Sequence, residues 1–185
     1  MLQRISDRLH NLATGWATLA AILVFALFMV LVLPSMAASS EAQTGSQESP
    51  DTSIIYTAED LYRMAQDYGE VGRQAYVRVR LTFDVIWPLV YCAFLVLTIG
   101  WLARRALPIG SRWQRANLVP LLAVLFDYLE NLFASVVMLR YPDPTPILAL
   151  LAPWMTMVKW LFVGTSFGLL VVYACIYVWR KLRGG

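Results

Sequence analysis

The chain has 185 residues, 59% hydrophobic and 15% charged, with a net charge of +3, a pI of about 9.0 and a mean hydropathy of +0.59. Soluble domains are nearer roughly 45–50% apolar and about 25% charged. The excess falls in four stretches of the length, about 20 residues, that a helix needs to cross a hydrocarbon core, which excludes a second soluble domain of normal size.

The first predicted span covers residues 15–33 and carries no charge; Arg4, Asp7, Arg8 and His10 precede it and Pro34 ends it. A basic arm, an apolar run and then Ser35, Met36, Ala37 and Ala38 also fit a cleavable secretory signal. The run exceeds the roughly 7–15 residues of a signal core, so a retained first helix is expected. Residues 1–34 therefore read as a cytoplasmic arm and first transmembrane helix. Residues 35–56 are rich in Ser, Gln, Glu and Thr, with Gly45 and Pro50. Such a segment cannot bury apolar surface and is expected as a flexible extracytoplasmic linker. Thr57, Glu59 and Asp60 then give a helix start close to a capping box. Leu61, Ala65, Tyr68, Gly72, Ala75 and Val79 follow on one helical face. That face predicts an amphipathic helix over 57–80, weakened or bent at Gly69 and Gly72.

Residues 81–185 are expected as a three-helix transmembrane core with a cytoplasmic basic tail. The second span covers 81–102, between Arg78/Arg80 and Arg104/Arg105, and the third covers 118–139, between Arg115 and Arg140. Three prolines between Tyr141 and Pro146 forbid helix there, and Pro146 suits a first helical position. The fourth apolar stretch, 147–179, is longer than one crossing, so a break or interfacial turn is expected around Ala152 and Pro153. The predicted fold class is all-α: a four-helix transmembrane bundle with an extracytoplasmic amphipathic helix between spans one and two. With the N-terminus in the cytoplasm, nine basic residues lie inside (Arg4, Arg8, Arg104, Arg105, Arg112, Arg115, Arg180, Lys181, Arg183). Five lie outside (Arg63, Arg73, Arg78, Arg80, Arg140), which satisfies the positive-inside rule with both termini cytoplasmic.

Chemistry, if there is any, rests on charges within the spans. Asp84, Asp127, Glu130 and Lys159 each cost roughly 2.5–3.5 kcal/mol at a helix centre, so each needs a partner or water, and each is a candidate site residue. Asp127, Glu130 and Asn131 stand at i, i+3 and i+4 and share a face. Two carboxylates this close call for a shared proton or an intervening cation. Lys159, in line with Ser166 and Tyr173 and near Thr156, is the natural counter-charge. Pro88 frees the carbonyl of Asp84, a kinked site that could coordinate a cation or ligand hydroxyl; the alternative pairs Asp84 with Arg80 one turn away. Gly164 and Gly168 form a GxxxG pair that permits close helix approach. His10 is the sole histidine, and Cys92 and Cys175 sit in apolar segments as free thiols. A histidine-ligated haem or a His-rich zinc site is thereby excluded. No metal, no cofactor and no catalytic residue is assigned, and no helix-turn-helix pattern, zinc-finger spacing or phosphate loop suggests nucleic acid.

The segments Tyr56-Thr-Ala-Glu-Asp60, Phe83-Asp-Val-Ile-Trp-Pro88, Phe126-Asp-Tyr-Leu-Glu-Asn131 and Tyr141-Pro142 resemble a group of small uncharacterised bacterial four-span inner-membrane proteins. That resemblance implies a multi-pass protein of the bacterial inner (plasma) membrane and carries no activity with it. In architecture alone, four spans with buried acids also resemble sterol-isomerase-like (EXPERA) membrane domains. The reading reached is a non-enzymatic binding or transport-accessory protein. Asp84, Asp127, Glu130, Asn131 and Lys159 would line a polar pocket, opening outward, for a small, lipid-like or cationic ligand. The alternatives are a membrane enzyme acting on a lipid through Asp127 and Glu130, and a structural subunit of a membrane complex. The expected partners are the lipid bilayer, a lipid-like ligand or other membrane subunits, with no nucleic acid.

Overall fold

The structure is a computed structural model that describes residues 1–50 and 53–184; Asp51 and Thr52 of the predicted linker, and Gly185, lie outside the described residues. The fold is an all-α helical bundle, with no strand among the described residues. Its helices are α1 (Leu2–Leu12), α2 (Gly15–Leu27), α3 (Leu33–Thr44), α4 (Ala58–Asp67), α5 (Gly69–Ala106), α6 (Val119–Arg140) and α7 (Pro146–Leu182). A π-turn, Phe28–Val32, joins α2 to α3, and a 3-10 helix, Arg112–Leu118, leads into α6. Four stretches are long and apolar enough to cross a membrane: Gly15–Thr44, Gly69–Ala106, Arg112–Arg140 and Pro146–Leu182. The chain is a multi-pass membrane protein. The apolar windows of the first and fourth stretches are only 6% and 11% buried, against 56% and 44% for the second and third, so the first and fourth leave most of their apolar surface to lipid.

Several sequence expectations are corrected. Pro34 does not end the first span, and residues 35–44 are not linker but helix α3. Proline costs a helix one N–H bond and crowds the carbonyl four residues back. Here the widened π-turn immediately precedes Pro34 and takes up that misfit. Polar residues then hold the last turns of α3 locally, Gln43 donating to Ser39 and Thr44 to the Ser40 carbonyl. The predicted amphipathic helix over 57–80 is two elements. Gly69 adopts φ +62°, a left-handed conformation that costs glycine little, and splits α4 from α5. Residues 69–80 thus belong to the second span. The expected break near Ala152 and Pro153 is absent: α7 runs unbroken for 37 residues, about 56 Å at 1.5 Å per residue. Spanning helices tolerate such a proline, and next to it Thr156 donates to the Ala152 carbonyl at 3.1 Å. The N-terminal arm, residues 1–12, forms the helix α1.

The chain divides into two compact units. The first comprises Met1–Ala26, Val90–Ala123 and Leu161–Gly185. Phe25, Phe94 and Phe167 cluster in it, with Phe25 and Phe94 stacked at 4.2 Å between centroids. Helix α1 is fixed there by polar side-chain contacts. Ser6 Oγ donates to Asn117 Oδ1 at 2.8 Å, and Asn117 Nδ2 returns a bond to the Ser6 carbonyl. His10 reaches the carbonyls of Gly100 at 3.2 Å and Gln114 at 3.0 Å.

The second unit comprises Leu27–Leu89 and Val124–Trp160. Its core gathers Tyr56, Leu61, Met64, Ala65, Tyr68, Tyr76, Val77, Ala134, Val137, Met138, Ala149 and Ala152. Leu61, Ala65 and Tyr68 of the predicted apolar face are all in that core. The predicted cap is present as a full capping box between Thr57 and Asp60. Tyr62 Oη accepts from the Thr145 backbone N–H at the start of α7, and Arg73 donates to the Ala65 carbonyl near the end of α4. Those two bonds satisfy groups that a helix end leaves without partners.

Candidate functional site

Among the described residues, the second unit buries five charged side chains: Arg80, Asp84, Asp127, Glu130 and Lys159. Each follows from helix register. Asp127, Glu130 and Asn131 do share one face of α6, and all three are buried. On α7, Thr156, Lys159, Ser166 and Tyr173 are all buried, so the polar stripe read from the sequence is the helix's interior face. The Lys159 ammonium lies 2.5 Å from Glu130 Oε2 and 3.9 Å from Asp127 Oδ1. Asn131 Nδ2 donates to Asp127 Oδ1 at 3.3 Å. Asn131 Oδ1 and the hydroxyl of Ser135, one turn further along α6, are buried without a hydrogen-bond partner among the described residues. Above Lys159 on the same helix, Thr156 meets the Tyr56 hydroxyl at 3.1 Å.

On α5, Asp84 pairs with Arg80 one turn away, both buried. This is the simpler of the two readings of Asp84 open in the sequence. The Arg80 guanidinium also donates to Ser49 Oγ at 3.0 Å and lies 4.6 Å over the Tyr76 ring. Beside Pro88, Tyr128 Oη donates to the Val85 carbonyl at 2.8 Å. Trp87 stacks on Phe28 of the π-turn at 6.1 Å.

A cavity of about 320 Å³ opens beside this pair. Its lining combines the polar residues Ser40, Glu41, Ser46, Gln47, Ser49, Arg80 and Asp84 with the apolar residues Leu33, Met36, Ala37, Val79 and Phe83. Of the five residues singled out from the sequence, Asp84 alone lines it. The structure thus brings Asp127, Glu130, Asn131 and Lys159 together in one cluster. It places Asp84 with Arg80 at a cavity wall that α3 helps to build. Sequence reasoning missed that wall because it assigned residues 35–44 to a linker. Ser135 was legible in principle: it continues the 127, 131 spacing by one more turn.

Outside the spans, charge and hydrogen bonding are local. The Asp60 carboxyl is held below its ordinary value, first by the Thr57 backbone N–H, then by the Thr57 hydroxyl and Arg63. Burial pushes the Tyr68 phenol up to about 12, and its hydroxyl donates to the Glu48 carbonyl at 2.5 Å. Gly164 and Gly168 have nothing within 4 Å of where a Cβ would stand, so their face makes no close helix contact among the described residues. Cys92 is buried and Cys175 exposed. Among the described residues no three His, Cys, Asp or Glu side chains gather as metal ligands would. No protein-family model, no curated protein and no solved structure matches the chain.

Proposed function

We propose that the protein is a non-enzymatic membrane protein that binds a small cationic amphiphile, with its headgroup at Arg80, Asp84 and Glu41 and its tail along Leu33, Met36 and Phe83. The carrying observation is the cavity of about 320 Å³ lined by both charged or polar and apolar side chains. Small-molecule sites begin at about 300 Å³ and combine mostly apolar lining with a few placed polar groups. Its charged lining is two acids to one base, which favours a positive headgroup. The localisation belongs to the same proposal: a bacterial inner membrane with both termini cytoplasmic, supported by nine basic residues against five across the spans.

The experiment is native mass spectrometry of the full chain in non-ionic detergent with dodecyltrimethylammonium or dodecyl sulfate. The expected result is one bound ammonium amphiphile and no bound sulfate. Met36→Trp, which fills the cavity without touching a charge, should abolish binding, and Glu41→Gln should weaken it. Equal uptake of the sulfate, or binding undiminished in Met36→Trp, would overturn the proposal.

A further inference from the structure

The first unit carries a separate feature where α5 and α7 finish. A hollow of about 570 Å³ is lined there by Arg105, from the last turn of α5, and by Arg180, Lys181 and Arg183, at and just past the end of α7. All four belong to the same compact unit, and no acid lines the hollow among the described residues. Tyr177, Arg180 and Lys181 stand at i, i+3 and i+4, so one face of α7 brings a ring and two bases to it. Aromatic contacts place two of the guanidinium groups. Arg105 lies 3.8 Å over the Trp101 ring and donates to the Trp101 carbonyl at 3.1 Å, and Trp101 meets Tyr177 edge-on at 5.6 Å. Arg183 lies 4.2 Å over the ring of Trp179, which also lines the hollow. A guanidinium held over a ring keeps its planar fork of N–H donors for an anion. A second hollow, of about 680 Å³, shares Trp179 with the first. Its other lining residues are Ala174, Cys175, Ile176, Val178 and Leu182, all apolar.

Topology and the helix dipole each favour bases at the ends of α5 and α7. Neither calls for one hollow shared by both helix ends, for rings under two of the arginines, or for an apolar hollow alongside. Basic pockets between spanning helices take anionic lipid headgroups. A free phosphate ion offers the same charge but has nothing to lay along Ile176 and Leu182. We propose that the two hollows together bind one anionic phospholipid. Its phosphate sits among Arg105, Arg180, Lys181 and Arg183, and an acyl chain runs along Trp179, Ile176 and Leu182. Arginine suits the headgroup because its fork can give two hydrogen bonds to one phosphate. Trp179, common to both hollows, stands where headgroup meets chain, the level at which tryptophan concentrates in spanning proteins. The site lies in the other unit from the cavity proposed for a cationic amphiphile and selects the opposite charge, so neither depends on the other.

The test is a native mass spectrometry titration of the full chain in non-ionic detergent. Its three probes are dioleoyl phosphatidylglycerol, dioleoyl phosphatidylcholine and inorganic phosphate. The expected result is one phosphatidylglycerol bound in preference to phosphatidylcholine and not displaced by inorganic phosphate. Arg105→Gln and Lys181→Gln should each weaken its binding about fivefold, the scale on which one base acts near an anionic membrane surface. Arg140→Gln removes the same charge from outside the hollow and should leave binding unchanged. Leu182→Gln keeps every charge but puts an amide against the acyl chain, and should weaken binding too. All four substituted residues are exposed, so the variants should fold as the wild type does. Equal uptake of phosphatidylcholine, displacement of the lipid by inorganic phosphate, or an equal loss in Arg140→Gln would overturn the site. So would binding undiminished in Leu182→Gln.

Discussion

Two buried contacts, Ser6 with Asn117 in the first unit and Lys159 with Glu130 in the second, hold helices by different chemistry. Ser6 and Asn117 are neutral and exchange two hydrogen bonds. Lys159 and Glu130 are charged, 3% and 1% exposed, and meet at 2.5 Å. A neutral pair would have served to fix a helix, at a small desolvation cost. An intramembrane charge costs roughly 2.5–3.5 kcal/mol on insertion scales, and five buried charges stand among the described residues of the second unit. Replacing a buried ion pair by apolar residues of similar volume is often neutral or stabilising. The charged interior is thus an expensive way to lock a bundle, and that difference between the units supports the proposed binding in the second.

The largest expected effect breaks the charged side of that comparison. Lys159→Met leaves Glu130 and Asp127 without their ammonium and should cost about 3–5 kcal/mol in unfolding free energy. Combining it with Glu130→Gln should recover much of the loss, and a double-mutant cycle by thermal or denaturant unfolding measures the coupling. Additive losses would separate residues that the structure places in contact.

The next effect sharpens what the second unit demands of shape rather than charge. A Cβ at Gly72 would meet Tyr68 Cβ at 3.1 Å, the Thr44 Cα at 3.3 Å and the Gln43 carbonyl at 3.4 Å. Two of the three are backbone atoms, which give way poorly. Gly72→Ala should therefore cost about 1–3 kcal/mol by overpacking the approach of α3 to α5. It should also reduce uptake of the ammonium amphiphile, because the same α3 carries Met36 and Ser40 to the cavity. A stable variant with wild-type binding would show that this approach is loose.

The neutral side answers to a smaller perturbation. Asn117→Ala removes both bonds to Ser6 and should cost about 1–2 kcal/mol, and Ser6→Ala together with Asn117→Ala should cost little more than either alone. Hydrogen exchange across Leu2–Leu12 reports it: α1 should exchange faster in the single variant, while Ala58–Asp67, in the other unit, should not change. His10 remains in place in this variant, so α1 should loosen rather than detach.

The sequence disclosed the four spans, the α4 cap, the shared face of Asp127, Glu130 and Asn131, and Lys159 as their counter-charge. Each is written in local spacing or in the cost of an isolated charge. It concealed α3, because Ser, Gln and Glu read as linker and the π-turn that admits Pro34 leaves no mark in composition. It likewise concealed the start of α5. Gly69 ends one helix and begins another with a single left-handed residue, and the apolar periodicity continues across it. His10 was set aside as part of a charged arm, although its partners are the carbonyls of Gly100 and Gln114, about a hundred residues away in the chain. The cavity depends on α3 meeting α5 and could not be read without it.

The smallest expected effect concerns a charge that stays in water and so calibrates the cost of those that do not. Asp60 accepts from the Thr57 backbone N–H at 2.9 Å and the Thr57 hydroxyl at 2.8 Å, and takes a bond from Arg63 at 3.2 Å. These bonds favour the ionised carboxylate and hold it below the ordinary 3.8. A carboxyl depressed on folding adds stability that is complete above its unfolded value and is lost as pH falls through the folded one. Arg63 is pushed up, chiefly by Glu48, so the titration below 3.8 belongs to the carboxyl and not to the guanidinium. In Asp60→Asn the side-chain oxygen still accepts from Thr57 but carries no charge. The wild-type Tm should exceed that of Asp60→Asn by a constant small margin between about pH 5 and pH 7, and the margin should shrink as pH drops below 3.8. Added salt should narrow it at every pH, because exposed charges are screened. The contrast with Lys159→Met is then direct, since a buried pair answers weakly to salt. A margin that widens on acidification would mean that the ionised Asp60 does not cap α4.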